Sequence, residues 1–166
     1  RRQRKLRGRR RIAEEMPEEV AMRRYLVVAN QTLGGSHLVD AVRARLGTGP
    51  CQFHILVPAS PVHERATWVE GEAHGVALER LRTGLERFRQ MGADADGEVG
   101  DHRPMDAIGD ALRDGGPFDE IIISTLPSGS SRWLKLDLPH RVEAAYGVPV
   151  THVVGQPESA GTGSSQ

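Results

Sequence analysis

The sequence has few of the residues that build covalent or metal cross-links. Cys51 is the only cysteine among 166 residues, which excludes an internal disulfide framework and a cysteine-built zinc site within one chain. The seven histidines form neither a His-x-x-x-His nor a His-Glu-x-x-His pair. The Gly-x-Ser-x-Gly segment typical of serine hydrolases is also missing. The sequence therefore predicts no metal site and no catalytic residue.

Long apolar runs are absent as well. No stretch approaches the roughly 18 apolar residues that cross a bilayer, and no apolar segment of the secretory type follows the basic N-terminus. We therefore expect neither a membrane span nor a secretory leader. Charged residues make up 27% of the chain, and Leu, Val and Ile are plentiful enough to argue against wholesale disorder.

The net charge of zero hides an uneven distribution of charge. The first 12 residues hold eight basic residues and no acidic one, so only 14 basic residues are left to balance all 22 acidic ones. Such a block is typical of a disordered tail, and it can also tether a protein to nucleic acid or to an anionic membrane surface. We expect a disordered basic tail and linker over 1–22, a folded domain over 23–154 and a disordered Gly/Ser/Pro-rich tail over 155–166.

Strand and helix patterns alternate along the folded part. Apolar β-branched runs predict strands at 25–29, 53–57, 120–124 and 148–154, with a more polar one at 93–99. Apolar residues at helical spacing predict helices over 36–46, capped by Ser36, and over 78–88, 105–112 and 138–145. Residues 59–71 are interpreted as a loop. This order predicts an α/β fold, a Rossmann-like three-layer α/β/α structure with helices on both faces of a five-stranded parallel sheet.

In such a sheet, ligands bind beyond the carboxyl ends of the strands, where the strand order reverses. The rule directs attention to three loops, Asn30 to Gly35, Pro58 to Pro61 and Ser124 to Asp137.

Several segments resemble a universal stress protein domain. They are Gly100-Asp-His-Arg-Pro-Met-Asp-Ala-Ile108, Phe118-Asp-Glu-Ile-Ile-Ile-Ser124 and Gly147-Val-Pro-Val-Thr-His-Val-Val154. The first strand, which ends in Val-Ala-Asn30, is similar to the family's Val-Ala-Asp start. Over residues 23–154, the resemblance implies a cytoplasmic protein that forms a homodimer through its last strand.

The nucleotide motif departs from the family pattern. ATP-binding members carry Gly-x-x-Gly and then, nine residues later, Gly-Ser or Gly-Thr after the fourth strand. Here the first two glycines fall on Ser124 and Pro127, and Pro127 has no N–H to offer a phosphate. Asp137 falls near the later Gly-Ser, where it is predicted to cap the next helix and would repel a triphosphate. Asn30 stands where the family has an aspartate that contacts the adenosine end of the ligand. These changes predict weak or lost ATP binding.

A run of small residues at 128–131 points the other way. Free amides and hydroxyls here, close to Arg132 and Lys135, predict an anion nest, although a plain Ser/Gly loop is the alternative. Bound ATP or AMP, or a smaller anion, would contact the candidate residues of the loops after the first and fourth strands. These candidates are Asn30, Gln31, Thr32, Ser124, Thr125, Ser128, Gly129, Ser130 and Ser131.

The last strand is the expected dimer interface. Its residues Val150, His152, Val153 and Val154 belong to an apolar strand at the end of the domain, and an exposed edge of this kind favours pairing about a two-fold axis. If His152 faces its copy across that axis, its protonation near pH 6 would weaken the dimer.

Three functions are compatible with these observations. The first is a non-enzymatic, homodimeric regulatory or binding module of the universal stress protein type. The second is a nucleotide-binding protein with weak ATP hydrolase or transferase activity, against which stands the lack of a general base or a Mg²⁺-binding carboxylate near the fourth-strand loop. The third is a module tethered to nucleic acid or membrane through the arginine-rich tail.

Overall fold

The computed structural model describes residues 21–60 and 70–155. The first strand begins at Arg23 and the last ends at Val154. The basic segment 1–12, most of the loop predicted over 59–71 and nearly all of the C-terminal tail lie outside the described residues, so the expectations for them stay predictions.

All five predicted strands and all four predicted helices are present. The strands are β1 (Arg23–Val28), β2 (Cys51–Pro58), β3 (Asp94–Gly100), β4 (Glu120–Thr125) and β5 (Val150–Val154). The helices are α1 (Ser36–Leu46), α2 (Glu70–Gln90), α3 (Pro104–Gly115), α4 (Arg132–Lys135) and α5 (Leu138–Tyr146). Helix α2 begins eight residues before the predicted start, and the short α4 was not predicted.

The strands form one parallel sheet in the order β3-β2-β1-β4-β5. The chain builds outward from β1 through β2 to β3, then returns to the other side of β1 for β4 and β5. Strand order therefore reverses between β1 and β4, where Val28 is in register with Ile123. The predicted five-stranded parallel α/β fold is confirmed.

Helices cover both faces of the sheet. One layer of the core joins the odd-numbered residues of β1, such as Tyr25 and Val27, to buried residues of α1 and α2. The other joins Leu26 and Val28 to buried residues of α3 and α5. Since successive strand residues point to opposite faces, the continuous apolar runs of β1 and β4 serve both layers at once.

The start of α1 differs from the sequence prediction. Gly35 occupies the N-cap position with extended backbone angles, and Ser36 is the first helical residue, with no capping hydrogen bond from a side chain. The β1–α1 loop instead closes through its backbone, since the Gly35 N–H donates to the Thr32 carbonyl at 2.9 Å. This loop carries the first group of candidate site residues.

Within the described residues, no helix combines the length and the apolar character needed to cross a bilayer. Helix α2, the longest at 21 residues, is rich in Arg and Glu along its exposed side.

Candidate functional site

The candidate site lies at the reversal point of the sheet. Strands β1 and β4 are neighbours and run in the same direction, so the loops that follow them meet at one edge. This is the position at which open α/β sheets hold ligands. The two loops predicted from the sequence are therefore adjacent in the fold.

A cavity of about 250 Å³ opens between these loops. Its described walls consist of hydroxyl and amide side chains, two arginines, one leucine and one tryptophan. The lining residues are Asn30, Gln31, Thr32, Ser60, Arg80, Ser124, Thr125, Leu126, Ser130, Ser131, Arg132 and Trp133. Seven of the nine candidate residues therefore line this cavity. The remaining two, Ser128 and Gly129, are exposed and do not line the cavity.

Two buried hydroxyls form the floor. The oxygens of Thr32 and Ser124 lie 2.6 Å apart, and both residues are almost completely buried. Gly155, the residue after β5, packs against them, and a Cβ atom there would come within 3.3 Å of Thr32. The hydrogen bond between Thr32 and Ser124 joins the loop after β1 to the end of β4.

Asn30 is held by the fold at both ends of its amide. Its nitrogen donates to the Pro58 carbonyl at 2.8 Å, and its oxygen accepts a hydrogen bond from Arg80 on α2. The residue is 8% exposed. Asn30 therefore links β1 to the end of β2 and to helix α2, besides lining the cavity.

The loop after β4 differs from the prediction in its backbone amides. The N–H groups of Ser130 and Ser131 donate to the Pro127 carbonyl at 2.9 and 3.1 Å, and the Ser131 hydroxyl accepts from the Leu134 N–H at 3.2 Å. The prediction of free amides at these two positions was wrong, because the loop uses them to close its own turn and to start α4. This wall presents hydroxyls to the cavity.

Asp137 takes the predicted N-cap position of α5, but its side chain does not act as the sequence predicted. The residue adopts a left-handed conformation with φ of 53°, makes no side-chain capping bond and is in contact with Nδ1 of His140 at 3.2 Å. Its exposed carboxylate is not among the residues that line the cavity.

His152 lies against the site from β5. Its Nε2 atom is 2.7 Å from the Thr125 hydroxyl, so a neutral imidazole accepts a hydrogen bond there. Burial lowers the pKa of His152 below its ordinary value of 6.5. The imidazole is therefore neutral at pH 7, and its partner lies within the same chain.

The charged side chains among the described lining residues are both basic. Arg80 and Arg132 contribute guanidinium groups, and none of the described lining residues is an aspartate or a glutamate. Over the same described parts of the chain, no three His, Cys, Asp or Glu side chains come together in a way that could hold a metal ion. This chemistry suits an anionic ligand better than a cation.

Five lining residues were not among the nine candidates: Ser60, Arg80, Leu126, Arg132 and Trp133. Ser60 lies just after β2, in the Pro58 to Pro61 loop that the rule on strand order selected, so the sequence did indicate its neighbourhood. Arg80 lies 50 residues from Asn30 on the inner side of a long helix, and no local pattern connects the two. Trp133 reaches the cavity because of α4, the helix that the sequence did not indicate.

The sequence matches no model of a protein family, and no curated protein matches it at a significant level.

Proposed function

We propose that this protein is a regulatory or binding module of the universal stress protein type, which holds a small phosphate-bearing ligand at the β1–β4 cavity without turning it over. The ligand class is a nucleoside monophosphate or a smaller phosphate ester. The module works as a homodimer that pairs through β5. The family resemblance and the dimer are part of the proposal.

One observation carries the proposal. At the reversal point of the sheet, a cavity has hydroxyls on its floor, guanidinium groups on its walls and no carboxylate among its described lining residues. Arginine matches the geometry of phosphate oxygens, and serine and threonine hydroxyls donate to them. Paired carboxylates, which would hold Mg²⁺ for phosphoryl transfer, are not found among these described lining residues.

A triphosphate is disfavoured on two grounds. The cavity of about 250 Å³ is smaller than the 300–1,000 Å³ or so that is usual for drug-sized ligands. In addition, two backbone amides of the β4 loop are already used by the Pro127 carbonyl, so they do not form a phosphate cradle. This supports AMP or a smaller ester over ATP.

Titration calorimetry with AMP, ATP, adenosine and inorganic phosphate tests the proposal. We expect AMP to bind with a Kd below about 1 mM, which corresponds to a binding free energy of at least about 4 kcal/mol. ATP should bind more weakly, because its extra phosphates have no cradle. Adenosine should bind more weakly than AMP, because it lacks the charged group.

Two tryptophan substitutions in one loop provide a matched control. Ser130→Trp fills the mouth of the cavity and should abolish AMP binding, whereas Ser128→Trp places the same ring on an exposed residue that does not line the cavity. Equal binding by both variants, or no AMP binding by the unsubstituted protein, would contradict the proposal.

A weak hydrolase is the second candidate, and one contact favours it. The His152 imidazole has a lowered pKa and accepts from Thr125, whose side chain lines the cavity, so a hydroxyl and a neutral base are already paired. Release of phosphate from ATP or AMP that disappears in His152→Asn would support this activity. Release that is unchanged in the variant would exclude the pair as its source.

A further inference from the structure

One polar group beside the cavity is left unsatisfied by the fold. Among the described residues, the Ser60 hydroxyl is the only buried side-chain oxygen or nitrogen without a hydrogen-bond partner. Buried hydroxyls are normally hydrogen-bonded, and an exception calls for a physical explanation. Since Ser60 lines the cavity, a bound ligand is a natural partner for this hydroxyl.

Ser60 belongs to a cluster around the carbonyl of Pro58. That carbonyl accepts from the Asn30 amide nitrogen at 2.8 Å and from the Ser60 backbone N–H at 2.8 Å. Arg80 completes the cluster through its hydrogen bond to the Asn30 amide oxygen. Asn30, Ser60 and Arg80 all line the cavity, and we call these three residues the Arg80 corner.

Helix α2 supports the Arg80 corner. Arg80 and Arg87 lie two turns apart on α2, and both reach the β1–α1 loop, Arg80 through Asn30 and Arg87 through the carbonyl of Gly34. Asn30 is a neutral amide, so its contact fixes the position of the Arg80 guanidinium without adding a negative charge to the cavity. Arg80 also lines the cavity, so its guanidinium group lies next to a bound ligand.

The other wall of the cavity, formed by the loop after β4, has fewer groups that could bind an anion. Its Ser130 and Ser131 backbone amides already donate to the Pro127 carbonyl. Arg132 is exposed to solvent, where water weakens its attraction for an anion.

We infer that the phosphate group of the ligand binds at the Arg80 corner, between the Ser60 hydroxyl and the Arg80 guanidinium. The loop after β4, where the family resemblance implies the phosphates, instead contacts the uncharged part of the ligand. This inference rests on the proposed function and assigns the orientation of the ligand within the same cavity.

Phosphate binding by two single variants of the full chain tests the inference, with inorganic phosphate and AMP as the calorimetric probes. Ser60→Ala should lower the affinity for both probes by about tenfold or more, because a hydrogen bond to a charged group is lost. Its melting temperature should stay the same or rise, since the substitution removes an unsatisfied buried hydroxyl. Arg80→Gln should lower the affinity by at least as much, and Arg80→Lys should restore part of it.

Three control variants identify which wall holds the phosphate. Ser130→Ala and Arg132→Gln alter the β4-loop side of the cavity, and Arg82→Gln removes an exposed arginine of α2 that is paired with Glu79. Arg82→Gln should change phosphate affinity by less than about threefold. Ser130→Ala and Arg132→Gln should lower it by less than Ser60→Ala does. If Arg80→Gln does not fold, Ser60→Ala decides the question by itself.

The failures of the two proposals are distinguishable. Loss of affinity in Ser130→Ala and Arg132→Gln, with full affinity kept in Ser60→Ala, would place the phosphate on the β4 loop and overturn the orientation alone. Failure of the unsubstituted protein to bind either probe would overturn the proposed function together with the inference.

Discussion

At the residue scale, Asn30 shows how the fold accounts for a side chain that the family resemblance left unexplained. Its amide nitrogen donates to the Pro58 carbonyl, and its amide oxygen accepts from Arg80. A carboxylate could accept from Arg80, but it has no N–H to donate and would place an oxygen against the Pro58 carbonyl. The amide at this position is therefore required by two neighbours in the protein, whatever the ligand.

The prediction at the residue scale is that His152 makes the stability of the protein depend on pH. Burial lowers its pKa in the folded protein, so the unfolded chain binds a proton more tightly and unfolding takes up a proton as the pH falls. The free energy of unfolding should be at its plateau above pH 6.5 and should decrease as the pH falls below that value. Chemical denaturation between pH 5 and 8 measures the decrease.

The His152→Gln variant is the control, because glutamine keeps a hydrogen-bonding group near Thr125 but does not titrate. Its unfolding free energy should depend less on pH than that of the unsubstituted protein. Identical pH profiles for the two proteins would contradict a role for this imidazole.

At the element scale, helix α2 sets the geometry of the site. Gly84 packs directly on Leu33 of the β1–α1 loop, where a Cβ atom would come within 2.6 Å of the leucine side chain. Leu33 is buried, so it has little room to move. This close approach brings Arg80 and Arg87, on either side of Gly84, within reach of the same loop.

Gly84→Ala should therefore destabilise the protein by about 1–3 kcal/mol, because overpacking outweighs the gain in helix propensity. Gly75→Ala, in the same helix, meets no atom within 4 Å and should be stabilising by up to about 1 kcal/mol. Urea denaturation of the two variants checks the difference. Stabilisation by both would show that Leu33 yields easily and that α2 is not fixed by this contact.

The sequence was sufficient for the main elements and their order, because their apolar patterns are long and periodic. It was less informative at their ends. Ser36 looked like a helix cap, but the β1–α1 loop closes through its own backbone, and Gly35 takes the cap position. The four residues of α4 carry no full helical period, so their helix could not be recognised.

The candidate site was predictable only where it follows from strand order. The loops after β1 and β4 could be chosen because the carboxyl ends of parallel strands share an edge. Arg80 could not be found in this way, since its place depends on how a 21-residue helix packs across the sheet. The N-cap position of Asp137 was predictable from the helix that follows it, whereas its absence from the described cavity lining depends on how the β4 loop and α4 fold.

At the scale of the whole molecule, the two edges of the sheet differ in chemistry. Edge strand β3 carries Asp94, Asp96 and Glu98, and the latter two carboxylates contact the imidazole of His54 on β2. Edge strand β5 has no acidic or basic residue other than His152, and its Val154 is 41% exposed. Charged side chains discourage edge pairing and apolar ones permit it, so β5 is the edge suited to a second copy.

We expect the protein to be a dimer in sedimentation experiments at tens of micromolar. Val154→Lys should weaken the association by at least tenfold, because it places a charge on the pairing edge. Asp94→Lys makes a comparable change on the opposite edge and should leave the dimer intact. A monomeric unsubstituted protein, or equal weakening by both variants, would contradict pairing through β5.

The unlike edges also limit the size of any such assembly. Two copies joined about a two-fold axis through β5 would form a continuous ten-stranded sheet whose outer borders are both β3. Pairing of two such borders would bring three carboxylates against three, and like charges on neighbouring strands repel each other. The acidic strand, which contributes none of the described lining residues, would thus disfavour further growth through β3–β3 pairing.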